Sequence, residues 1–337
     1  LGDRIGAWSL VAPPGGNSRL RPSRAPRAVP LCGRPCRRYA FDVLPDVPRF
    51  PSPRGQTREI AGRADRIEVR WLGTAGFEIR CDDHLLLIDP YFTRASLPRV
   101  LRPGLAPDPR IVLREAPRAD AIIVGHTHFD HALDVPLIAR ATGARVYGSR
   151  SAAALCRADG VPPDQIVDVE SALRRGGHEA EVGPFRLRFL PSAHSRLLFG
   201  RAVPFAGEIV DCDELPAHAA GYRCGAVFAV EIEVARRRIV HLGSAELEAS
   251  TRSDRDCDLL LFCAAGWQTS PRIAERALAG FRPGAVLLSH WDDFLRPLDR
   301  EVRPLPALSL PRLVAAFAAA GRDVPVGIVA PREIVTL

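Results

Sequence analysis

Lysine and methionine are absent from this 337-residue chain, and asparagine occurs once, at Asn17. All 46 Lys/Arg positions are therefore arginine. That bias fits a GC-rich coding sequence, so arginine content alone argues for no partner. No apolar run approaches the roughly 20 residues of a membrane helix, which excludes a spanning helix and leaves no membrane role. No apolar stretch of about 7–15 residues follows Asp3 and Arg4, so no secretory signal is expected. The eight cysteines form no C-x-x-C pair. Cys32 and Cys36 have no partner pair at zinc-finger spacing, and the chain is too long to need disulfide staples. Reduced thiols and a cytoplasmic setting are the expectation. G-x-G-x-x-G is also missing, which argues against a dinucleotide-binding doubly wound sheet.

What charge there is lies unevenly. The net +7 belongs to residues 1–65, which hold 12 Arg against 5 acidic residues, while residues 66–337 hold 34 of each sign. Nucleic-acid binding needs a concentrated positive field, so a formally neutral body argues against it and favours a small-molecule substrate. Residues 1–65 are rich in Pro, Gly and Arg with no sustained period, and read as a mostly disordered basic tail. The ordered domain is expected over 66–337. Nothing in the sequence sets the oligomeric state.

From Arg66 the pattern becomes regular. Ile67 to Trp71 alternates apolar and polar as a half-buried strand does, Gly73 to Gly76 turns, and Phe77 to Arg80 alternates again. Leu85 to Ile88 is an apolar strand ending at Asp89-Pro90. Residues 93–118 read as irregular. Ala121 to Gly125 is a strand, and Asp130 to Thr142 a helix with Leu133, Val135, Leu137 and Ile138 on its apolar face. Further strands are expected at 146–147, 166–169, 185–190, 227–234, 238–242, 259–262 and 285–288. Helices are expected at 151–158, 271–281 and 313–320. Residues 195–224 form a long connection, the kind that often serves as a binding loop. Strand-rich and then alternating segments occur in both halves, in the same coarse order.

The residues with chemistry lie just past apolar strands: Asp89, His126-Thr127-His128-Phe129-Asp130-His131, His194, Ser244 with Glu246, and His290. Strand ends along one edge can converge on a single cleft. Imidazole and carboxylate donors suit zinc, manganese or iron(II). His126 and His128, two apart in extended chain, point to the same side. Structural zinc sites are closed and usually contain Cys, whereas an open His/Asp set with room for water is the catalytic kind. Such a metal lowers the pKa of its water to about 7. His84, His178, His218 and His241 read as surface or structural. His241, in a strand near Gly243, is the first substitute if a ligand is missing. Trp291 and Asp292 read as a substrate-facing rim.

His126, His128, Asp130 and His131 spell H-x-H-x-D-H, which resembles the metal motif of the metallo-β-lactamase-fold superfamily. The resemblance covers about residues 66–337. It includes Trp71-Leu72-Gly73-Thr74-Ala75-Gly76-Phe77, Leu87-Ile88-Asp89-Pro90, His194 and His290. The opening strand is similar to that of ascorbate-6-phosphate lactonase-like hydrolases. The resemblance implies an α/β fold, a four-layer αββα sandwich. It implies that His126, His128 and His194 hold one metal and that Asp130, His131 and His290 hold a second, with Asp89 orienting the cluster. Where the family usually has Gly-Asp, with the Asp bridging both metals, this chain has Gly243-Ser244. Glu246 is the carboxylate that could reach back instead. A weakened second site or a single-metal enzyme is the expected consequence.

The function implied is a metal-dependent hydrolase carrying one or two ions, Zn2+ first and Mn2+ or Fe2+ otherwise. Its substrate would be a small ester, lactone, amide or phosphoester, with Asp130 orienting water and helping to move a proton. The alternatives are a nucleic-acid-processing member of the same superfamily and a non-catalytic binding protein with a degraded metal site.

Overall fold

The computed structural model describes residues 44–51, 66–174, 179–196, 200–321 and 323–337. Cys32, Cys36, His178 and most of the 1–65 tail lie outside the described residues. Two seven-stranded sheets pack face to face. The strands are β1 Ile67–Gly73, β2 Gly76–Cys81, β3 His84–Ile88, β4 Ala121–Ile123, β5 Arg145–Gly148, β6 Ile166–Asp168, β7 Glu179–Val182, β8 Phe185–Ser192, β9 Val227–Val234, β10 Arg237–Leu242, β11 Leu259–Cys263, β12 Val286–Ser289, β13 Val326–Gly327 and β14 Ile334–Thr336. The first sheet runs β14-β1-β2-β3-β4-β5-β6 and the second β13-β12-β11-β10-β9-β8-β7.

Each sheet has antiparallel pairs on one side and parallel pairs on the other. In the first, β3, β4, β5 and β6 are parallel neighbours. In the second, β10, β11, β12 and β13 are. The coarse similarity between the halves is thus a shared topology. Strands buried on both faces are largely apolar, as the parallel β11 is throughout and β12 is up to its last residue, Ser289. Strands with one solvated face alternate: in β8, Phe185, Leu187 and Phe189 are buried, with Arg186 and Arg188 between them facing outward. One apolar core lies between the sheets and continues under the helices Ile273–Phe281 and Leu310–Ala320. A second lies between the first sheet and the helices Val135–Thr142 and Arg150–Ala158. The result is a four-layer αββα sandwich. Among the described residues no helix is long and apolar enough to cross a membrane.

Several boundaries depart from the periodic pattern. Residues 44–51 join the body ahead of Arg66. Val47 and Phe50 enter the inter-sheet core, and the backbone pairs Phe50 N–H with Ile328 O at 2.8 Å. The segment 93–118 contains the short helices Leu97–Val100 and Pro109–Glu115, each with Pro in its first turn. The helix read as 130–142 is two helices, Phe129–Ala132 and Val135–Thr142, broken at Asp134. The Asp134 carboxylate turns away to accept the Phe92 and Thr93 amides (2.6 and 2.8 Å) and the Thr93 hydroxyl (2.5 Å). The strands β7, β13 and β14, two to four residues long, are too short for a period to register.

One buried ion pair ties the sheets together behind the histidines. Arg94, with a left-handed φ of 45°, donates to Asp292 Oδ2 at 2.6 Å. It also reaches the carbonyls of Arg296 and Asp293. Asp292 Oδ1 accepts the Thr74 amide at 2.9 Å. Asp292 is therefore fully buried beside a buried Trp291, and neither forms the substrate-facing rim expected of them. Truncating one partner strands the other charge in the interior. Arg94→Ala should cost about 3–5 kcal/mol in chemical denaturation. Arg237→Ala, which removes an exposed pair with Asp258, should cost under about 1 kcal/mol.

Candidate metal centre

The functional side chains come from strand ends in both sheets. Asp89 follows β3, the segment 126–131 follows β4, His194 follows β8, Ser244 follows β10 and His290 follows β12. Three donor groups result: His126, His128 and His194; Asp130, His131 and His290; and Asp89, His126 and His131. Within each group the candidate ligand atoms lie within 4.8 Å of one another. His126 Nε2 and His128 Nδ1 are 3.1 Å apart, and the His194 ring centroid is 4.8 and 4.6 Å from theirs. His290 Nε2 is 3.2 Å from Asp130 Oδ2, and His131 Nε2 is 3.8 Å from the same oxygen.

Outward partners decide which nitrogens point inward. A carbonyl oxygen can only accept, so each imidazole nitrogen bonded to one must carry the proton. His128 Nε2–H donates to Pro204 O at 2.8 Å, leaving Nδ1 bare toward His126. His194 Nδ1–H donates to Ser195 O at 2.6 Å, leaving Nε2 bare. His131 Nδ1 faces Asp89 Oδ2 at 2.9 Å, which leaves Nε2 to the Asp130 side. The outward bonds are those that hold metal-binding histidines in place. His126 Nδ1 and His290 Nδ1 have no partner among the described residues.

Burial holds His126 and His128 below the usual imidazole range, and lowers His194 to about 3 with help from His128. All three are neutral at physiological pH, as ligands must be. Burial also acts to lower His131, but the Asp89 and Asp130 carboxylates prevail and raise it. For Asp130, burial acts upward, yet His131 and His290 together hold its carboxyl well below the carboxylate range. The buried carboxylates of Asp89 and Asp130 are thus faced by His131 and His290, while His126, His128 and His194 beside them carry no charge. A divalent cation would balance that charge, and the donor set fits one.

Two glycines leave room for Asp89. A Cβ on Gly125 would lie 3.0 Å from Asp89 Oδ2, and one on Gly243 would lie 2.8 Å from it. Gly125 also donates its amide to Asp89 Oδ1 at 2.7 Å. The β1–β2 turn supplies more scaffolding: Thr74 O accepts the His290 amide (2.7 Å) and the Trp71 indole (2.9 Å), and Ala75 O pairs with His241 Nε2 at 2.9 Å. His241 is therefore a buried structural residue. His84 and His218 are at the surface.

The expected role of Glu246 is not what the structure supports. Its carboxylate pairs with Arg276 and accepts the Leu247 amide at 2.9 Å, and it belongs to none of the donor groups. An antiparallel bridge between Ala193 and Glu246 fixes the backbone there, which directs the side chain to the helix Ile273–Phe281. Ser244 stays at the site in a different capacity. Its Oγ accepts the Ser195 amide at 3.0 Å, which fixes the turn that carries His194. Pro204 and Thr74 act through backbone carbonyls, so no side-chain pattern announces them.

The donors line one face of a cavity of about 500 Å3. Matched against known families, residues 84–291, more than half the chain, fit the one described as the Beta-lactamase superfamily domain. The chain belongs to the beta-lactamase superfamily. A relative from Anaeromyxobacter sp. (strain K), named a metal-dependent hydrolase, is 28% identical over 235 residues, which cover 68% of this chain and 76% of the relative. An uncharacterized protein of Mycobacterium tuberculosis is 28% identical over 151 residues, 44% of this chain and 39% of its own. Among solved structures, a metallo hydrolase of Ignicoccus hospitalis aligns with a TM-score of 0.52 at 17% identity, covering 81% of this chain and 98% of its own. An isothiocyanate hydrolase from Delia radicum gut bacteria aligns at 0.51 and 15%, covering 79% and 98%. At such identities the superfamily likeness of these structures is one of fold.

If Asp89 is the residue that steadies the donors, crowding it should loosen metal. Gly243→Ala should weaken zinc affinity at least tenfold in competition with a chromogenic chelator. Gly280→Ala, whose Cβ meets nothing closer than 3.4 Å, should leave affinity unchanged, as should Glu246→Gln.

Proposed function

We infer that this chain is a metal-dependent hydrolase acting on a small-molecule ester, lactone, amide or phosphoester. The observation that carries the reading is the fixed outward bonding of His128, His194 and His131, which turns their free nitrogens toward shared positions beside a cavity. His126, His128 and His194 would hold one ion, and Asp130, His131 and His290 a second. Asp89 has both oxygens engaged, by Gly125 and His131, and serves as the holder of the set. The imidazole and carboxylate donors suit Zn2+, and admit Mn2+ or Fe2+. When bound, the ion supplies a Lewis acid and activates water near neutral pH.

The chain's own residues do the positioning. Asp130, kept ionised, lines the cavity and can accept a hydrogen bond from an incoming water, and so help to draw off its proton. No carboxylate stands at Ser244 to join the two donor groups, which favours unequal affinities at the two positions. A cytoplasmic setting belongs to the same reading, supported by the free thiols of Cys156, Cys212, Cys224, Cys257 and Cys263.

Metal analysis of the full chain after dialysis tests this directly. One tightly held ion per chain is expected, with a second taken up only at added metal, and His126→Ala should lose the first. Asp130→Asn should lower kcat/KM by about 10²-fold or more on whichever ester, lactone or phosphodiester is turned over. A chain that binds no zinc, manganese or iron(II) under saturating conditions would overturn the assignment.

A further inference from the structure

The cavity above the donors has a chemistry of its own, separate from the metal ligands. Phe129 and Phe294 form one wall, with ring centroids 6.1 Å apart. Leu305 and Leu308 form another, and Pro204 with Phe205 forms a third. Phe205 stands edge-on to His128 at 6.2 Å and is 40% exposed, so it sits at the rim. Gln268 closes the far side and donates one amide N–H to Ala307 O at 2.8 Å. The Thr269 hydroxyl proton is directed to Arg196 O and Gly266 O.

No arginine lines this cavity among the described residues, and the chain has no lysine. Of the arginines on adjoining segments, Arg94 pairs with Asp292 and Arg276 with Glu246, and Arg196, Arg201 and Arg296 are not among the lining residues. Among the described residues the only carboxylate on the lining is Asp130, which belongs to the donor set. A charged substituent away from the scissile bond would therefore lose its water and gain no partner, which is costly. An apolar substituent would gain by burial.

From this we propose that the substrate presents its scissile group on an uncharged, apolar framework: a neutral ester, lactone or amide with hydrocarbon or aromatic substituents. The proposal rests on the hydrolase reading for its chemistry, but the selectivity is a property of the cavity walls and can be measured without turnover.

The kinetic test compares p-nitrophenyl hexanoate with the p-nitrophenyl monoester of adipic acid and with p-nitrophenyl 6-aminohexanoate, using the full metal-loaded chain. The neutral ester should exceed both charged ones at least tenfold in kcat/KM. Activity from acetate to hexanoate should rise about fourfold per methylene until the cavity is filled. Equal rates, or preference for a charged ester or for bis(p-nitrophenyl) phosphate, would overturn the proposal while leaving a hydrolase. The binding test titrates 1-phenylheptan-2-one, a ketone that cannot be hydrolysed, and its ω-carboxylate by calorimetry. At least tenfold tighter binding of the neutral ketone is expected, and equal binding overturns the proposal. Selective ketone binding with no turnover of any ester, lactone or amide would uphold the cavity's preference and sink the hydrolase reading instead. Phe205→Arg, at an exposed rim position, should narrow the gap between hexanoate and adipate monoester about tenfold. An unchanged ratio would remove these walls from the selectivity.

Discussion

The Asp89 carboxylate is the constraint around which the histidine cluster is built. It is fully buried, reached on one side by the Gly125 amide and on the other by His131 Nδ1. Its backbone is left-handed, at φ 43°, so the strand end bends sharply to deliver it. Its near neighbours Gly125 and Gly243 belong to different sheets, and neither has room for a side chain. A buried carboxylate is tolerable when its lone pairs are satisfied and a compensating charge is near. The first need is met by amide and imidazole donors. The second is met only in part, by His131, whose pKa the carboxylates raise.

The same logic extends outward. Carbonyls of Pro204, Ser195 and Thr74 hold His128, His194 and the His290 backbone, so irregular segments set the donor geometry as much as the strands do. Thr127, between two of the histidines, anchors this arrangement. Its amide donates to Cys224 O at 2.9 Å and its hydroxyl to Arg223 O at 2.5 Å, and Cys224 N–H in turn donates to Phe205 O at 2.9 Å. The loop that roofs the cavity is thereby bonded to the segment that carries His126 and His128. Ser244 shows how a neutral residue keeps a role at a position where a carboxylate was expected. It steadies the turn after β8 rather than offering charge to an ion.

The sandwich and the donor set were largely legible because both leave local marks. Strands announce themselves by alternation or by apolar runs, and the residues past their ends include His126, His128, Asp130, His131, His194 and His290, which the structure brings together. Glu246 was misread because distance along the chain says nothing about direction. The bridge to Ala193 turns it toward Arg276, thirty residues further on. Asp134 was hidden inside an apparently continuous helical period, which Pro136 interrupts, leaving the Asp134 carboxylate free to accept from Phe92 and Thr93. The carbonyls that accept from His128, His194 and the His290 amide could not be read at all, because a backbone oxygen has no residue signature. Gly125 and Gly243 are intelligible only once Asp89 is seen between them.

The division of labour follows from where each part lies. The floor is built by strand ends, whose positions are pinned by two sheets and their shared core, so it can hold several donors to within hydrogen-bond distances. The walls come from the segments around 204–205, 266–269, 294 and 305–308, which the sheets do not pin. Those segments carry none of the grouped donors, and none of their lining residues is charged. The proposed substrate preference thus rests on the loops, and the proposed chemistry on the strand ends. One place where the two meet is Pro204, whose carbonyl accepts from His128 while the residue lines the cavity. A change in that loop acts on ligand geometry and substrate fit together, which makes it the position where selectivity and metal affinity cannot vary independently.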